Sequence, residues 1–86
     1  MDIDFKTEAL IDKEYWKNHG TPSIKGKIES LLKSMRKTPF RGIGKPEPLK
    51  HGLVGKWSRR INRENRIIYS VENNIITVYS LRGHYD

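Results

Sequence analysis

Apolar side chains recur every three or four residues between Thr21 and Thr38. They are Ile24, Ile28, Leu31, Leu32 and Met35. This spacing predicts an α-helix with one apolar face. Thr21 followed by Pro22 is a typical helix start, because threonine can cap the first turn and proline suits the first helical position. Thr38 followed by Pro39 ends the helix, since proline disfavours helical backbone in the residue before it.

A second helix is predicted at residues 7 to about 18. Thr7 is expected to cap its start and Gly20 to end it. Its apolar surface is predicted to come from Leu10, Ile11, Tyr15 and Trp16. Residues 3–6 precede this helix and are predicted as a short edge strand.

Three later segments alternate between the two faces of a strand. They are residues 57–62, 66–71 and 75–81, and a two-residue period is typical of β-structure. Their polar connections are short, which predicts an antiparallel meander. The chain is therefore predicted to be one α+β domain, residues 1–86, with two N-terminal helices packed on one face of a small, mostly antiparallel β-sheet. The other face is left free to bind a ligand.

Residues 41–55 read as a long loop between the helical and strand segments, with several glycines and prolines. Connections of this length are usually either functional or disordered. Pro46 and Pro48 favour order, because each fixes its own φ angle and restricts the residue before it.

The charge of the chain is basic and unevenly distributed. Its 86 residues include 17 Lys and Arg against 10 Asp and Glu, a formal net charge of +7. Residues 33–66 contain eleven of the basic residues and only two acids, Glu47 and Glu64. Such a block favours a polyanionic partner, above all nucleic acid. The alternative is a solvated basic surface without a dedicated partner.

Composition excludes several classes of protein. There is no cysteine, which rules out disulfides, thiolate metal sites and cysteine nucleophiles. No apolar run approaches the roughly 20 residues of a membrane span, and the acidic N-terminus lacks signal-peptide features. The three histidines lack the spacing of metal ligands, and no phosphate-binding glycine motif occurs. We expect a cytoplasmic protein without metal, cofactor or membrane association.

Glu47 is the main candidate for proton-transfer chemistry. Pro46 and Pro48 fix the direction in which it points, and an ionised carboxylate can accept a proton from a ribose 2′-OH. The alternative is a solvent-exposed loop glutamate without a role. Lys50 is a candidate phosphate contact, and His51 is either structural or a second proton carrier.

Two arginines and the C-terminal residues complete the candidate chemistry. Arg60 and Arg66 lie on strands joined by a short connection, and one of the possible registers puts both on the same face. There they would clamp a phosphate; otherwise they only protect a sheet edge. The imidazole of His84 can protonate a leaving 5′-oxygen. Tyr85 can stack on a base or bond a phosphate, or serve only in packing.

Together these motifs resemble the YoeB/Txe toxins of the RelE/ParE superfamily. The matching phrases are Thr38-Pro39-Phe40, Gly42-x-Gly44-Lys45-Pro46-Glu47-Pro48-Leu49-Lys50-His51, Gly55-x-Trp57-Ser58-Arg59-Arg60-Ile61, Arg66-x-x-Tyr69 and His84-Tyr85. The resemblance is dense from about residue 36 onward and thinner before it. It implies a RelE/ParE-like, microbial ribonuclease-like fold and the toxin of a type II toxin–antitoxin system.

The resemblance also implies a metal-free endoribonuclease that inhibits translation by cutting mRNA in the ribosomal A site. Glu47 matches the general base, Arg66 the phosphate-stabilising arginine and His84 the general acid. Tyr85 matches a tyrosine that positions the substrate. The basic residues assigned to RNA or phosphate binding are Lys45, Lys50, His51, Arg59 and Arg60. The 2′-OH would attack the adjacent phosphate and leave a 2′,3′-cyclic phosphate, or its 3′-phosphate product, and a 5′-OH.

The partners implied by the resemblance are a Phd/YefM-type antitoxin that wraps the toxin, a second copy in a homodimer, and operator DNA reached only through the antitoxin complex. The chain departs from the family pattern at its end. Gly83 stands where the family often has a larger residue, which is expected to loosen His84. Asp86 adds a carboxylate beside Tyr85.

Two other functions stay open. A non-catalytic nucleic-acid binder would need only the basic block. A gyrase-directed toxin, as in the ParE branch of the superfamily, would require neither Glu47 nor His84.

Overall fold

Two helices and five strands follow one another in the computed structural model, which describes residues 1–84. They are β1 (Asp2–Phe5), α1 (Thr7–His19), α2 (Pro22–Lys37), β2 (Glu47–Pro48), β3 (Trp57–Arg60), β4 (Arg66–Glu72) and β5 (Ile75–Gly83). A single 3₁₀ turn, His51–Leu53, lies between β2 and β3. Neither of the described helices combines the length and the apolar character needed to cross a membrane.

The strands form one sheet in the order β1-β5-β4-β3-β2. β1 runs parallel to β5, and the other neighbouring strands are antiparallel. The α+β class with a mostly antiparallel sheet is therefore confirmed. Although β5 comes last among these elements, it lies inside the sheet, between β1 and β4.

The core lies between the helices and one face of the sheet. Its buried residues are Ala9, Trp16, Ile28, Leu31, Met35, Ile61, Ile67, Tyr69, Ile76, Val78 and Leu81. The apolar stripe predicted for α2 is the surface that this helix buries. The predicted start is also confirmed, because Thr21 Oγ1 accepts a hydrogen bond of 3.2 Å from the backbone N–H of Ile24.

The prediction of the apolar surface of α1 is partly wrong. Leu10 and Ile11 are 51% and 64% exposed. The buried positions of this helix are Ala9, Asp12 and Trp16, so the buried face includes a carboxylate and leaves out two of the four predicted apolar residues. Lys6 precedes the first helical residue and no side chain caps the helix there, which also corrects the expected capping role of Thr7. Gly20 ends the helix as predicted.

Residues 41–55 are more regular than the predicted loop, since they contain β2 and the 3₁₀ turn. The Gly44 carbonyl accepts a 2.7 Å hydrogen bond from the Arg60 N–H, which places this segment along β3. Gly44 has a φ of 83°, and a Cβ there would lie 2.5 Å from Leu31 Cδ2. Only glycine fits this close approach to α2.

Candidate active site

The strand register gathers Glu47, Arg60 and Arg66 on the sheet face opposite the helices, here called the open face. Glu47 pairs with Ser58, and Arg60 pairs with Arg66. Residues directly opposite each other across a strand pair point to the same face. Arg60 and Arg66 therefore share the open face, as in the register that the short connection left possible.

Glu47 and Arg66 form an ion pair on the open face. The Arg66 Nη1 atom lies 2.9 Å from Glu47 Oε1, and the side chains are 16% and 47% exposed, respectively. Arg66 Nη1 also donates to Ser58 Oγ at 3.2 Å. The arginine is thus held from two sides, while the carboxylate stays accessible to a ligand. The role of Ser58 was missed because a serine in a strand carries no distinguishing signal.

His84 follows directly after Gly83, the strand partner of Arg66. The backbone therefore brings the histidine to the end of the sheet where Glu47 and Arg66 lie. A Cβ at Gly83 would be 2.6 Å from Ile68 Cγ1 and 3.2 Å from the Arg66 carbonyl oxygen. Gly83 is consequently a tightly packed strand residue and does not act as a loose joint before His84.

Four of the other basic candidates are accessible to a ligand. Lys45, Lys50, His51 and Arg60 are exposed, as phosphate contacts must be, and their binding role stays a prediction. Tyr85 lies outside the described residues. Within residues 1–84, no three His, Cys, Asp or Glu side chains come together as a metal site would require.

The position of Arg59 does not fit its predicted role in RNA binding, because the side chain is buried. Its relative exposure is 0%, and its guanidinium is surrounded by protein oxygens. It donates to Ser34 Oγ at 2.7 Å, the carbonyls of Thr38, Arg41 and Ile43 at 2.6, 2.8 and 3.1 Å, and Tyr69 Oη at 3.1 Å. The physical reason is strand alternation, which turns Arg59 toward the helices and the neighbouring Arg60 toward the open face.

The match with known proteins covers almost the whole chain. Residues 5–85 match the family model described as the YoeB-like toxin of bacterial type II toxin–antitoxin systems. The chain belongs to this family. The resemblance that its motifs indicate is therefore confirmed.

Several known toxins are similar to this chain over nearly its full length. Toxin YoeB from Escherichia coli strain K12 is 44% identical over 85 residues, covering 99% of this chain and 100% of the relative. The YoeB/ParE toxin from Agrobacterium tumefaciens has a TM-score of 0.92 at 37% identity, covering 99% of this chain and 100% of that one. YoeB from Staphylococcus aureus, 41% identical with 99% and 98% coverage, gives TM-scores of 0.86 in a heterotetrameric YoeB–YefM complex and 0.88 as a dimer.

Two side chains of α1, whose polar roles the sequence did not indicate, hold the strand leading to His84 in this toxin. The buried carboxylate oxygen Oδ2 of Asp12 accepts hydrogen bonds from the Leu81 N–H at 2.9 Å and from Ser80 Oγ at 3.1 Å. Trp16 Nε1 donates to the Leu81 carbonyl at 2.8 Å. The spacing of Asp12 and Trp16, one helical turn apart, is the only sequence signal for this pair.

Proposed function

We propose that this toxin is an endoribonuclease that cuts mRNA in the ribosomal A site and thereby stops translation. The supporting observation is the 2.9 Å Glu47–Arg66 pair on the open face, with His84 one residue beyond the strand partner of Arg66. A proton acceptor, a fixed cation and an imidazole at one corner of a sheet are the groups that RNA cleavage by a neighbouring 2′-OH requires.

In the proposed reaction, Glu47 removes the proton of the 2′-OH, and the O2′ atom attacks the adjacent phosphorus. Arg66 stabilises the negative charge that develops on the phosphoryl oxygens. His84 donates a proton to O5′ as the P–O5′ bond breaks. The products are a 2′,3′-cyclic phosphate and a 5′-OH, and the two side chains exchange protons only with the RNA. Tyr85 is assigned to substrate positioning, and no metal ion takes part in this scheme.

The exposed residues Lys45, Lys50, His51 and Arg60 are proposed to contact phosphates on either side of the cleaved bond. Cations contribute to RNA affinity through the release of counterions, independently of sequence. Arg60 lies on β3, which pairs with Glu47, and the other three lie within four residues of Glu47 along the chain. His51 keeps the alternative role of a second proton carrier.

The substitution Glu47→Gln tests the general base. It keeps the size of the side chain and an oxygen for Arg66, but the amide does not accept the 2′-OH proton. We expect single-turnover cleavage of mRNA on programmed ribosomes to slow by about 10²–10⁴-fold, the usual contribution of a positioned base. Glu29→Gln, at an exposed position on α2, is the matched control and should cleave at the wild-type rate.

A wild-type cleavage rate in the Glu47→Gln variant would remove Glu47 from the reaction. If growth inhibition then depended instead on Lys33 and Arg36, a non-catalytic nucleic-acid binder would be the better description. DNA damage without mRNA cleavage would indicate the gyrase-directed alternative.

For its partners, we propose a YefM-type antitoxin and a homodimer, with operator DNA reached through the antitoxin complex. The support is the relationship to YoeB from Staphylococcus aureus, which was solved both with YefM and as a dimer. A ribosome-dependent activity places the toxin in the cytoplasm.

A further inference from the structure

The register of β5 changes on the way to the candidate site. Tyr69 pairs with Val78, whereas Arg66 pairs with Gly83. Three steps along β4 thus correspond to five steps along β5, and the two extra residues are accommodated as bulges. In an unshifted ladder, His84 would lie two residues, about 7 Å, farther from Arg66. The bulges therefore determine whether the histidine reaches the ion pair.

The bulged segment is supported from the side by α1. β1 pairs with β5 only as far as Phe5 and Val78, so beyond this point the outer edge of β5 has no strand neighbour among the described residues. Asp12 and Trp16 take that place, since the first accepts from the Leu81 N–H and the second donates to the Leu81 carbonyl. These two side chains supply the hydrogen bonds that a neighbouring strand would make.

The residues on either side of Leu81 are connected to the same helix. The Ser80 hydroxyl donates to Asp12 Oδ2 and accepts from the Arg82 N–H, both at 3.1 Å. The Arg82 guanidinium lies 3.6 Å from the centre of the Tyr15 ring. Residues 80–82 are thus held by one face of α1, immediately before Gly83 and His84.

We propose that Asp12 is a positioning residue for His84. By holding Ser80 and Leu81 it fixes the bulges that bring the histidine to the Glu47–Arg66 pair. Asp12 is 7% exposed, lies on the helix side of the sheet and acts only through the strand. Without its carboxylate, the Leu81 N–H is left buried without an acceptor, which favours relaxation of the bulge. This inference rests on the proposed function, in which His84 is the general acid.

The test compares two mRNAs on programmed ribosomes, one normal and one with sulfur replacing the bridging 5′-oxygen at the cleaved bond. A thiolate leaves without being protonated, so the second substrate does not need a general acid. We expect Asp12→Ala to slow cleavage of the normal mRNA by about 100-fold, the effect of a small misplacement in an active site. Cleavage of the sulfur substrate should stay close to the wild-type rate. His84→Gln should show the same pattern.

Two further variants show whether the effect of Asp12→Ala is specific to the contact between Asp12 and β5. Ser80→Ala removes the bond to Asp12 and the acceptor for the Arg82 N–H, so a smaller loss with the same sulfur rescue is expected even if Asp12→Ala does not fold. Glu14→Gln changes an exposed carboxylate on the same helix and should match the wild type on both substrates. Tryptophan fluorescence establishes that each variant is folded at the assay temperature.

The outcomes separate the two proposals. If His84→Gln is rescued by sulfur but the folded Asp12 and Ser80 variants lose rate equally on both substrates, the positioning role is overturned and the proposed function stands. If His84→Gln itself is not rescued, the general-acid assignment fails, and the role of Asp12 fails with it.

Discussion

Arg59 shows how a single basic side chain organises the segment that leads to the candidate base. Among the described residues, its guanidinium donates only to neutral oxygens, three of which are carbonyls at or after the C-terminal end of α2. A cation is favoured there because helix C-termini carry partial negative charge. Arg59 thereby ties residues 38–43 to β3 and fixes the backbone a few residues before Glu47.

Tyr69 belongs to the same buried cluster, and we expect it to make the toxin sensitive to alkaline pH. Its hydroxyl donates to the Pro39 carbonyl at 2.7 Å. Burial raises the pKa of Tyr69 above its ordinary value of 10.0, against the opposite effects of the hydrogen bond and charge of Arg59. The folded state therefore holds this proton more tightly than the unfolded state. The contribution of Tyr69 to the free energy of unfolding should be constant below about pH 10 and should fall as the pH rises above it.

Urea unfolding at several pH values measures this effect. Tyr69→Phe should be less stable near neutrality, because its hydrogen bonds are lost, but should lack this component of the alkaline decrease. Tyr15→Phe, which keeps Tyr69, should retain the decrease. Equal pH slopes in the two variants would show that Tyr69 does not carry the effect.

At the scale of elements, the β4–β5 hairpin depends on two asparagines. Asn73 and Asn74 have φ values of 53° and 64° between the paired residues Glu72 and Ile75. Two-residue hairpins prefer positive φ at both positions, because the resulting turn matches the twist of the strands. Asparagine tolerates this left-handed backbone better than most residues.

Asn74→Ala should lower the free energy of unfolding by about 1 kcal/mol, because alanine bears the usual cost of left-handed backbone without the local hydrogen bonding that eases it for asparagine. Asn74→Gly should cause no such loss, because glycine adopts positive φ freely. Urea unfolding of both variants provides the measurement. A destabilised glycine variant would mean that the asparagine side chain, rather than its backbone, supports the turn.

Elements with local signals were predictable, and those that depend on distant partners were not. The apolar period and the cap of α2 lie within its own sequence. β2 has only two residues, one of them proline, and exists because β3 offers a partner. The buried face of α1 was misjudged because the acceptor role of Asp12 depends on Leu81, far away in the chain. Likewise, motifs indicated Glu47 and Arg66, but only the register of the sheet brings them together.

At the scale of the whole molecule, the basic block of residues 33–66 is divided between two layers of the fold. Lys33, Arg36 and Lys37 are exposed on α2, in the helical layer, whereas Lys50 and Arg60 belong to the β2–β3 side of the sheet. Arg59 is removed from the surface altogether. The single run of charge in the sequence is thus distributed over both layers of the fold, and of these residues only Lys50 and Arg60 lie on or beside the strands next to Glu47.

The salt dependence of RNA binding should show whether Lys50 contacts a phosphate. For a non-cleavable RNA with a 2′-deoxy nucleotide at the cleavage position, Lys50→Gln should reduce the slope of log affinity against log salt by about 0.7, the value for one single-strand phosphate contact. Lys6→Gln, an exposed position between β1 and α1, should leave the slope unchanged. Fluorescence anisotropy measures both. An unchanged slope for Lys50→Gln would remove this residue from the phosphate contacts.

The interior position of β5 also determines when the sheet can form during synthesis of the chain. Asp2 pairs with Ile75, so β1 and β5 must meet before the sheet is complete. Closing the long stretch of chain between them costs conformational entropy. During synthesis, the ribosome must release β5 before β1 and β4 have their shared neighbour. A nascent chain that still lacks Ile75–Gly83 has neither a closed core nor the strand that carries His84. The toxin therefore acquires its candidate site only after β5 and His84 have left the ribosome.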